Sequence, residues 1–180
     1  MRLSGTRAGG VLRAVLRLYA EEWAQRGTLR RSEPLRCCPN LFARAFPTKH
    51  SRGSLGFSVI EKRKKLKSEY AGLTGPQIVE LKKQGVEIDY PLDIPIVSYL
   101  GDTQYVDFSQ LEYIARSKIL IAECTFYEEE HTGRAEAGRH IHIDEFATLL
   151  DKMQNEHIII THTTQRTPMR EIRKILKDPL

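Results

Sequence analysis

The stretch 138–167, GRHIHIDEFATLLDKMQNEHIIITHTTQRT, sets a short amphipathic segment beside a β-branched run, with histidines at the boundaries of both. Ile143, Phe146, Leu149, Leu150 and Met153 recur at spacings of three and four, which predicts a helix over 143–153 with one buried face. His140 and His142 then stand at its entry. His157-Ile158-Ile159-Ile160 is too short for a helix and predicts a buried strand that runs into Thr161-His162-Thr163-Thr164. In layered α/β folds, loops leaving the C-terminal ends of strands converge on ligands, so His140 and His162 are expected at one rim, as a metal or catalytic site. The competing reading for any one of these histidines is structural: a backbone cap or a half-exposed side chain.

Two upstream segments repeat the pattern. Ile94 to Leu100 is apolar and ends at Gly101-Asp102-Thr103, and Lys118 to Ala122 (KILIA) ends at Glu123-Cys124-Thr125-Phe126. Three predicted strands therefore end in groups able to bind a cation or a proton. Further upstream, Ala43 to Phe46 reads as a strand delivering His50 to a turn built from Ser51, Gly53 and Ser54, and Ser54 to Glu61 as the next strand. Lys62 to Lys67 (KRKKLK) is open to two readings, a solvated charge run or a phosphate contact. Thr74 to Gly85 is a short helix with Thr74 as cap and Pro76 in the first turn, and 87–95 a polar connector. Ser109 to Arg116 and Pro168 to Lys177 read as further helices, and 127–139 as a Glu-rich loop with His131 exposed. Strands alternating with helices imply a layered α/β domain.

At 180 residues the chain suffices for one domain with a sizeable core, and no run approaches the ~20 apolar residues of a membrane span. Its net charge of +5 suggests nucleic-acid binding until it is located. Residues 1–45 hold nine Arg and three Glu, whereas residues 46–180 hold 19 Lys and Arg against 20 Asp and Glu, so the apparent domain is nearly neutral and basicity alone does not argue for RNA. Cys37 and Cys38 are adjacent and Cys124 stands apart, a usage that suits a reducing, cytoplasmic setting. Residues 1–42 form an unassigned Arg-rich segment, and 43–180 the domain. Val11, Leu12, Val15, Leu16, Leu18 and Trp23 would suit a tethering helix packed on that domain or a targeting segment, unless the segment has no native role.

The succession His50 in PTKHSRGSLGF, Asp102 in YLGDT, Glu123 in ECTF, His140 in HIH and His162 in THTTQRT resembles the C-terminal half of ribonuclease Z, the tRNA 3′-processing endonuclease of the metallo-β-lactamase superfamily. The resemblance implies an αββα sandwich, incomplete here, and two zinc ions. It makes His50, Asp102 and His162 metal ligands, with Asp102 bridging, and makes Glu123 and His140 the catalytic pair. Glu123 would orient His140 as the acid that protonates the leaving 3′ oxygen. The five side chains are expected to converge at one sheet edge around Asp102.

Two departures qualify this. His142 stands where the family has threonine, and the family's HxHxDH motif has no counterpart in these 180 residues. Each zinc would keep two protein ligands, where catalytic zinc commonly has three plus water. Precursor tRNA is the implied substrate, and a complementing N-terminal half or a second copy the implied partner. The alternatives are a non-catalytic fragment or interaction module with the same half-fold, and a superfamily hydrolase acting on a non-RNA substrate.

Overall fold

The computed structural model describes residues 35–177. The proposed tethering helix over 11–24 lies outside them. Six strands form one sheet in sequence order: β1 (Leu35–Cys38), β2 (Leu41–Pro47), β3 (Leu55–Leu66), β4 (Asp89–Tyr99), β5 (Ile119–Glu123) and β6 (His157–Thr161). β1 to β4 pair antiparallel, and β4, β5 and β6 pair parallel. The helices are α1 (Gly75–Lys83), α2 (Glu112–Ala115), α3 (Thr132–Gly138), α4 (Ile143–Leu150) and α5 (Met169–Ile175). The expected α/β layering holds, and the sheet extends into residues 35–42, ahead of the expected domain start.

One sheet face carries the main core. Phe46, Leu120 and Ala122 from the strands meet Phe108, Ile114, Phe146, Leu149 and Ile172 from the helical layer, all buried. Burial of such side chains is worth roughly 1.5–3 kcal/mol each, which is what holds short helices such as α2 and α5 in place. The opposite face has a smaller cluster made wholly of strand residues, with Ala43, Ala45 and Val59 buried and Leu41, Leu55, Phe57 and Val97 packed around them.

Several local expectations are corrected. From Asp89 on, the expected polar connector 87–95 is the first half of β4, and Pro91 and Pro95 are tolerated because β5 pairs only with Val97–Tyr99, leaving the earlier residues an edge. KRKKLK continues β3 beyond Glu61, the partner of the first β2 residue Leu41, so it forms a two-stranded arm with β4. The helix expected over 109–116 is a 3₁₀ turn, Phe108–Gln110, followed by α2. The supposed loop 127–139 contains a 3₁₀ turn, Glu129–His131, and α3, and His131 within it is 7% exposed rather than open to solvent. β6 is an edge strand, with Ile158 39% and Ile159 47% exposed, because β5 pairs with only one side of it among the described residues.

Candidate metal centre

The topology explains why the site forms where it does. β2 and β4 are both antiparallel to β3, so they run the same way, and β5 and β6 run parallel to β4. Four strands thus end at one edge of the sheet. The residues just past or at those ends are His50, Asp102, Glu123 and His162. His140 arrives from the helical layer, two residues past the end of α3.

Glu123 is the anchor. Its side chain is fully buried, and its oxygens accept from the Thr103 amide (2.5 Å), the Thr125 hydroxyl (2.5 Å), His140 Nδ1 (3.1 Å) and, more weakly, the Ile141 amide (3.4 Å). A carboxylate so fully subscribed holds its neighbours and has no lone pair to spare for an ion, although His140, His162 and Glu123 offer ligand atoms within 4.8 Å of one another. Since a carboxylate can only accept, His140 Nδ1 carries the proton and Nε2 points its lone pair away from Glu123.

A second chain of hydrogen bonds fixes His162. The Thr125 hydroxyl donates to Glu123, the shortest of its contacts, and so accepts from His162 Nδ1–H at 2.9 Å. His162 Nε2 is then a bare lone pair, and it faces Asp102 Oδ2 at 3.6 Å. Two acceptors confronting each other at that distance repel unless a proton or cation lies between them. Two ligands on one ion at ~2.0–2.1 Å with tetrahedral geometry would be about 3.3 Å apart, so the gap suits a divalent metal. His162 itself is held at φ 56°, left-handed backbone that a non-glycine residue adopts only where its surroundings impose it.

The rings of His50 and His162 lie 4.9 and 4.8 Å from that of His140, the second pair stacked at 17°. Among these ring contacts His140 is the shared partner, and Asp102 joins the group through its 3.6 Å approach to His162 Nε2. His50 is tied down through Arg139, whose carbonyl lies 3.3 Å from His50 Nδ1 and whose guanidinium donates to the His50 carbonyl at 2.7 Å. Arg139 closes α3 at φ 58°, where glycine is the usual residue. His142 is engaged at the entry of α4. It is 3% exposed and caps α4, accepting from the Asp144 amide, with Glu145 completing a capping box, while its Nε2 contacts the Glu128 carbonyl at 3.1 Å. It therefore acts as the helix's cap and not as a replacement ligand.

Sequence reading missed Thr125, Thr103 and Arg139. The alternation Glu123-x-Thr125 at the end of a strand was an available signal, since i and i+2 share a side. The Arg139 latch spans 89 positions and left no local trace.

Cys124 sits beside Glu123, wholly buried, and burial pushes its thiol up from 9.0 to about 12. The thiolate is the nucleophile, so Cys124 should resist alkylation below pH ~10 in the folded chain and react once unfolded. Because the folded value is the raised one, the stability this proton contributes is complete below pH 9.0 and declines as pH rises toward about 12. The check is iodoacetamide labelling across that window in a chain with Cys37 and Cys38 replaced by serine. Stoichiometric labelling of folded protein at neutral pH would contradict the burial.

No family model matches the sequence. Two curated tRNase Z proteins of Arabidopsis thaliana do. One, chloroplastic, is 34% identical over 138 residues, covering 75% of this chain and 39% of its own length. The other is 35% identical over 137 residues, covering 74% and 49%. Among solved structures, the metallo-β-lactamase fold protein YhfI from Bacillus subtilis superposes with a TM-score of 0.53 at 15% identity, over 83% of this chain and 47% of that one. Both resemblances read from the sequence hold: this chain is a partial relative of tRNase Z with the metallo-β-lactamase fold, and it spans less than half the length of the curated proteins that it matches.

Proposed function

We propose that this chain carries one side of a two-zinc phosphodiesterase centre for tRNA 3′-end processing, and that as an isolated chain it does not turn over. The observation that carries this is the bare Nε2 of His162 facing Asp102 at 3.6 Å, beside a His140 whose proton is set by buried Glu123. The tRNase Z names of the relatives supply the substrate class. His50 and Asp102 would hold one ion, and Asp102 and His162 the other. When bound, such paired ions provide a nucleophile at neutral pH and neutralise charge on the scissile phosphate.

The chain's own residues do the rest. Glu123 keeps His140 Nδ1 protonated, so that Nε2 can carry a proton to the leaving 3′ oxygen. Thr125 couples His162 to the same carboxylate, so both imidazoles are oriented by one buried charge. Lys62, Arg63, Lys64 and Lys65 on the β3–β4 arm are all exposed and offer phosphate contacts away from the centre. Local clustering on an arm is compatible with the near-neutral charge of the domain as a whole.

Two zinc ligands per ion is a deficit, and the exposed edge at Ile158 and Ile159 of β6 supports a partner, either a complementing N-terminal half or a second copy of the chain. A reading as a non-catalytic module rests on the same deficit. The proposal includes a cytoplasmic location. Among the described residues no helix is long and apolar enough to cross a membrane.

The test is equilibrium dialysis with zinc followed by a precursor-tRNA cleavage assay, on the chain alone and mixed with a separately produced N-terminal half of a tRNase Z. We expect weak zinc retention and no cleavage alone, and cleavage on mixing that Asp102→Asn or His162→Ala abolishes. Stoichiometric zinc and metal-dependent cleavage by the chain alone would overturn the deficit. Absence of cleavage in every mixture, with zinc binding indifferent to Asp102→Asn, would overturn the centre itself.

A further inference from the structure

The segment between β5 and α3 holds a second cluster of donors, and its central group is an anomaly. His131 is 7% exposed, yet its Nδ1 is a buried nitrogen with no hydrogen-bond partner. A buried polar atom left unpaired is destabilising, so a native site normally fills it. The nearest charged atom is Glu128 Oε2 at 3.9 Å, too far for a hydrogen bond. The ligand atoms of Glu128, Glu130 and His131 all lie within 4.8 Å of one another.

Local geometry brings them together. The His131 amide donates to the Glu128 carbonyl at 2.8 Å, closing the 3₁₀ turn Glu129–His131. In a 3₁₀ turn residues i and i+3 eclipse, which sets the Glu128 and His131 side chains on one side. The Phe126 ring packs on the inner flank of the His131 imidazole, with centroids 5.7 Å apart. Glu130 is exposed and Glu128 half-buried, so the carboxylates reach in from solvent toward a ring nitrogen fixed in the wall.

We propose that Glu128, Glu130 and His131 form a divalent-cation site separate from the His140–His162 centre. One imidazole nitrogen and two carboxylates, with a solvent-facing side for water, suit zinc, cobalt or manganese, and a doubly charged ion offsets both carboxylates. The site is a brace. Phe126 lies between the two centres, 5.7 Å from His131 and 6.4 Å from His140, and it bridges to His142 at the entry of α4. Glu128 reaches the same entry through its carbonyl contact with His142 Nε2. A cation here therefore pins the segment whose far end presents His140.

The experiment uses the full 180-residue chain carrying His50→Ala, Asp102→Asn and His162→Ala, which removes the first centre's three proposed ligands. Co²⁺ is titrated by calorimetry and by its visible absorption, with histidine ¹⁵N resonances followed on addition of Zn²⁺. We expect one bound ion, perturbation of the His131 ring, and loss of both when Glu128→Gln and Glu130→Gln are added. These two side chains are exposed or half-buried and the changes isosteric, so an unchanged circular dichroism spectrum is expected and confirms folding. No stoichiometric ion in the first variant overturns the site, as does binding that survives the two glutamine substitutions or leaves His131 unperturbed.

Discussion

Glu123→Ala should be among the most destabilising single substitutions in this domain. It removes a fully buried carboxylate and leaves the Thr103 amide, the Thr125 hydroxyl, His140 Nδ1–H and the Ile141 amide without their acceptor. Breaking a buried charged network by deleting one partner costs about 3–5 kcal/mol, a large share of the ~5–15 kcal/mol that holds a domain folded. The orphaned donors share one cavity, so their individual costs do not add. Thermal melts should show a fall of roughly 10 °C or more. Glu123→Gln keeps the volume and one acceptor, and should lose less stability while still misorienting His140 and His162. The pair of variants separates anchoring from packing. A melt for Glu123→Ala within ~1 kcal/mol of the parent would show that the buried charge does not organise this edge.

Residues near the strand ends were the legible part of this sequence. Short β-branched or apolar runs that stop at Asp102, Glu123 and His162 announce both the strand and its ligand-bearing end, although the burial expected of such runs holds for β5 and fails at β6, where Ile158 and Ile159 are exposed. The helix from Ile143 was equally clear from its single apolar face. What stayed hidden depended on tertiary context. β4 begins in DYPLDIP, whose prolines argue against a strand; only the absence of β5 from that half of the strand makes them harmless. The basic run 62–67 is open to either reading in the sequence, and the strand form leaves Lys62, Arg63, Lys64 and Lys65 exposed on an arm that β4 alone completes. His131 sits in a run of glutamates that looks exposed, yet the Phe126 ring and the turn beneath it bury the imidazole. The family resemblance is what proposes the roles of His50, Asp102, Glu123, His140 and His162. It did not carry Thr125 or Arg139, whose roles follow from contacts 37 and 89 positions apart in the chain.

Gly56→Ala should cost more than its size suggests. Glycine in a strand is ordinarily a weakness, and alanine there would restore roughly 0.5–1 kcal/mol of backbone order. Here the added Cβ would stand 2.2 Å from Phe46 Cε2, 2.3 Å from Phe46 Cζ and 2.8 Å from the Tyr99 carbonyl oxygen. Phe46 is the cross-strand partner of Gly56, and its ring lies across the space a side chain would fill. It cannot swing aside freely: it is 1% exposed, packed edge-on against Phe108 at 5.6 Å and tilted against Tyr113 at 6.2 Å. The carbonyl belongs to β4, one strand over, so relief on that side means moving backbone next to Gly101 and Asp102. Overpacking of this kind costs about 1–3 kcal/mol, and expulsion of the phenylalanine would approach the ~3–5 kcal/mol of deleting it. We expect a net loss of about 2–4 kcal/mol in urea unfolding, with the midpoint lowered and the slope retained. Gly72→Ala is the control, since nothing lies within 4 Å of a Cβ there, and it should change stability by no more than ~0.5 kcal/mol. Combining Gly56→Ala with Phe46→Leu tests the cause, because a smaller partner gives the new methyl room. A double variant more stable than the sum of the two single losses locates the strain in the Phe46–Gly56 pair, whereas strict additivity would place it against the β4 carbonyl instead.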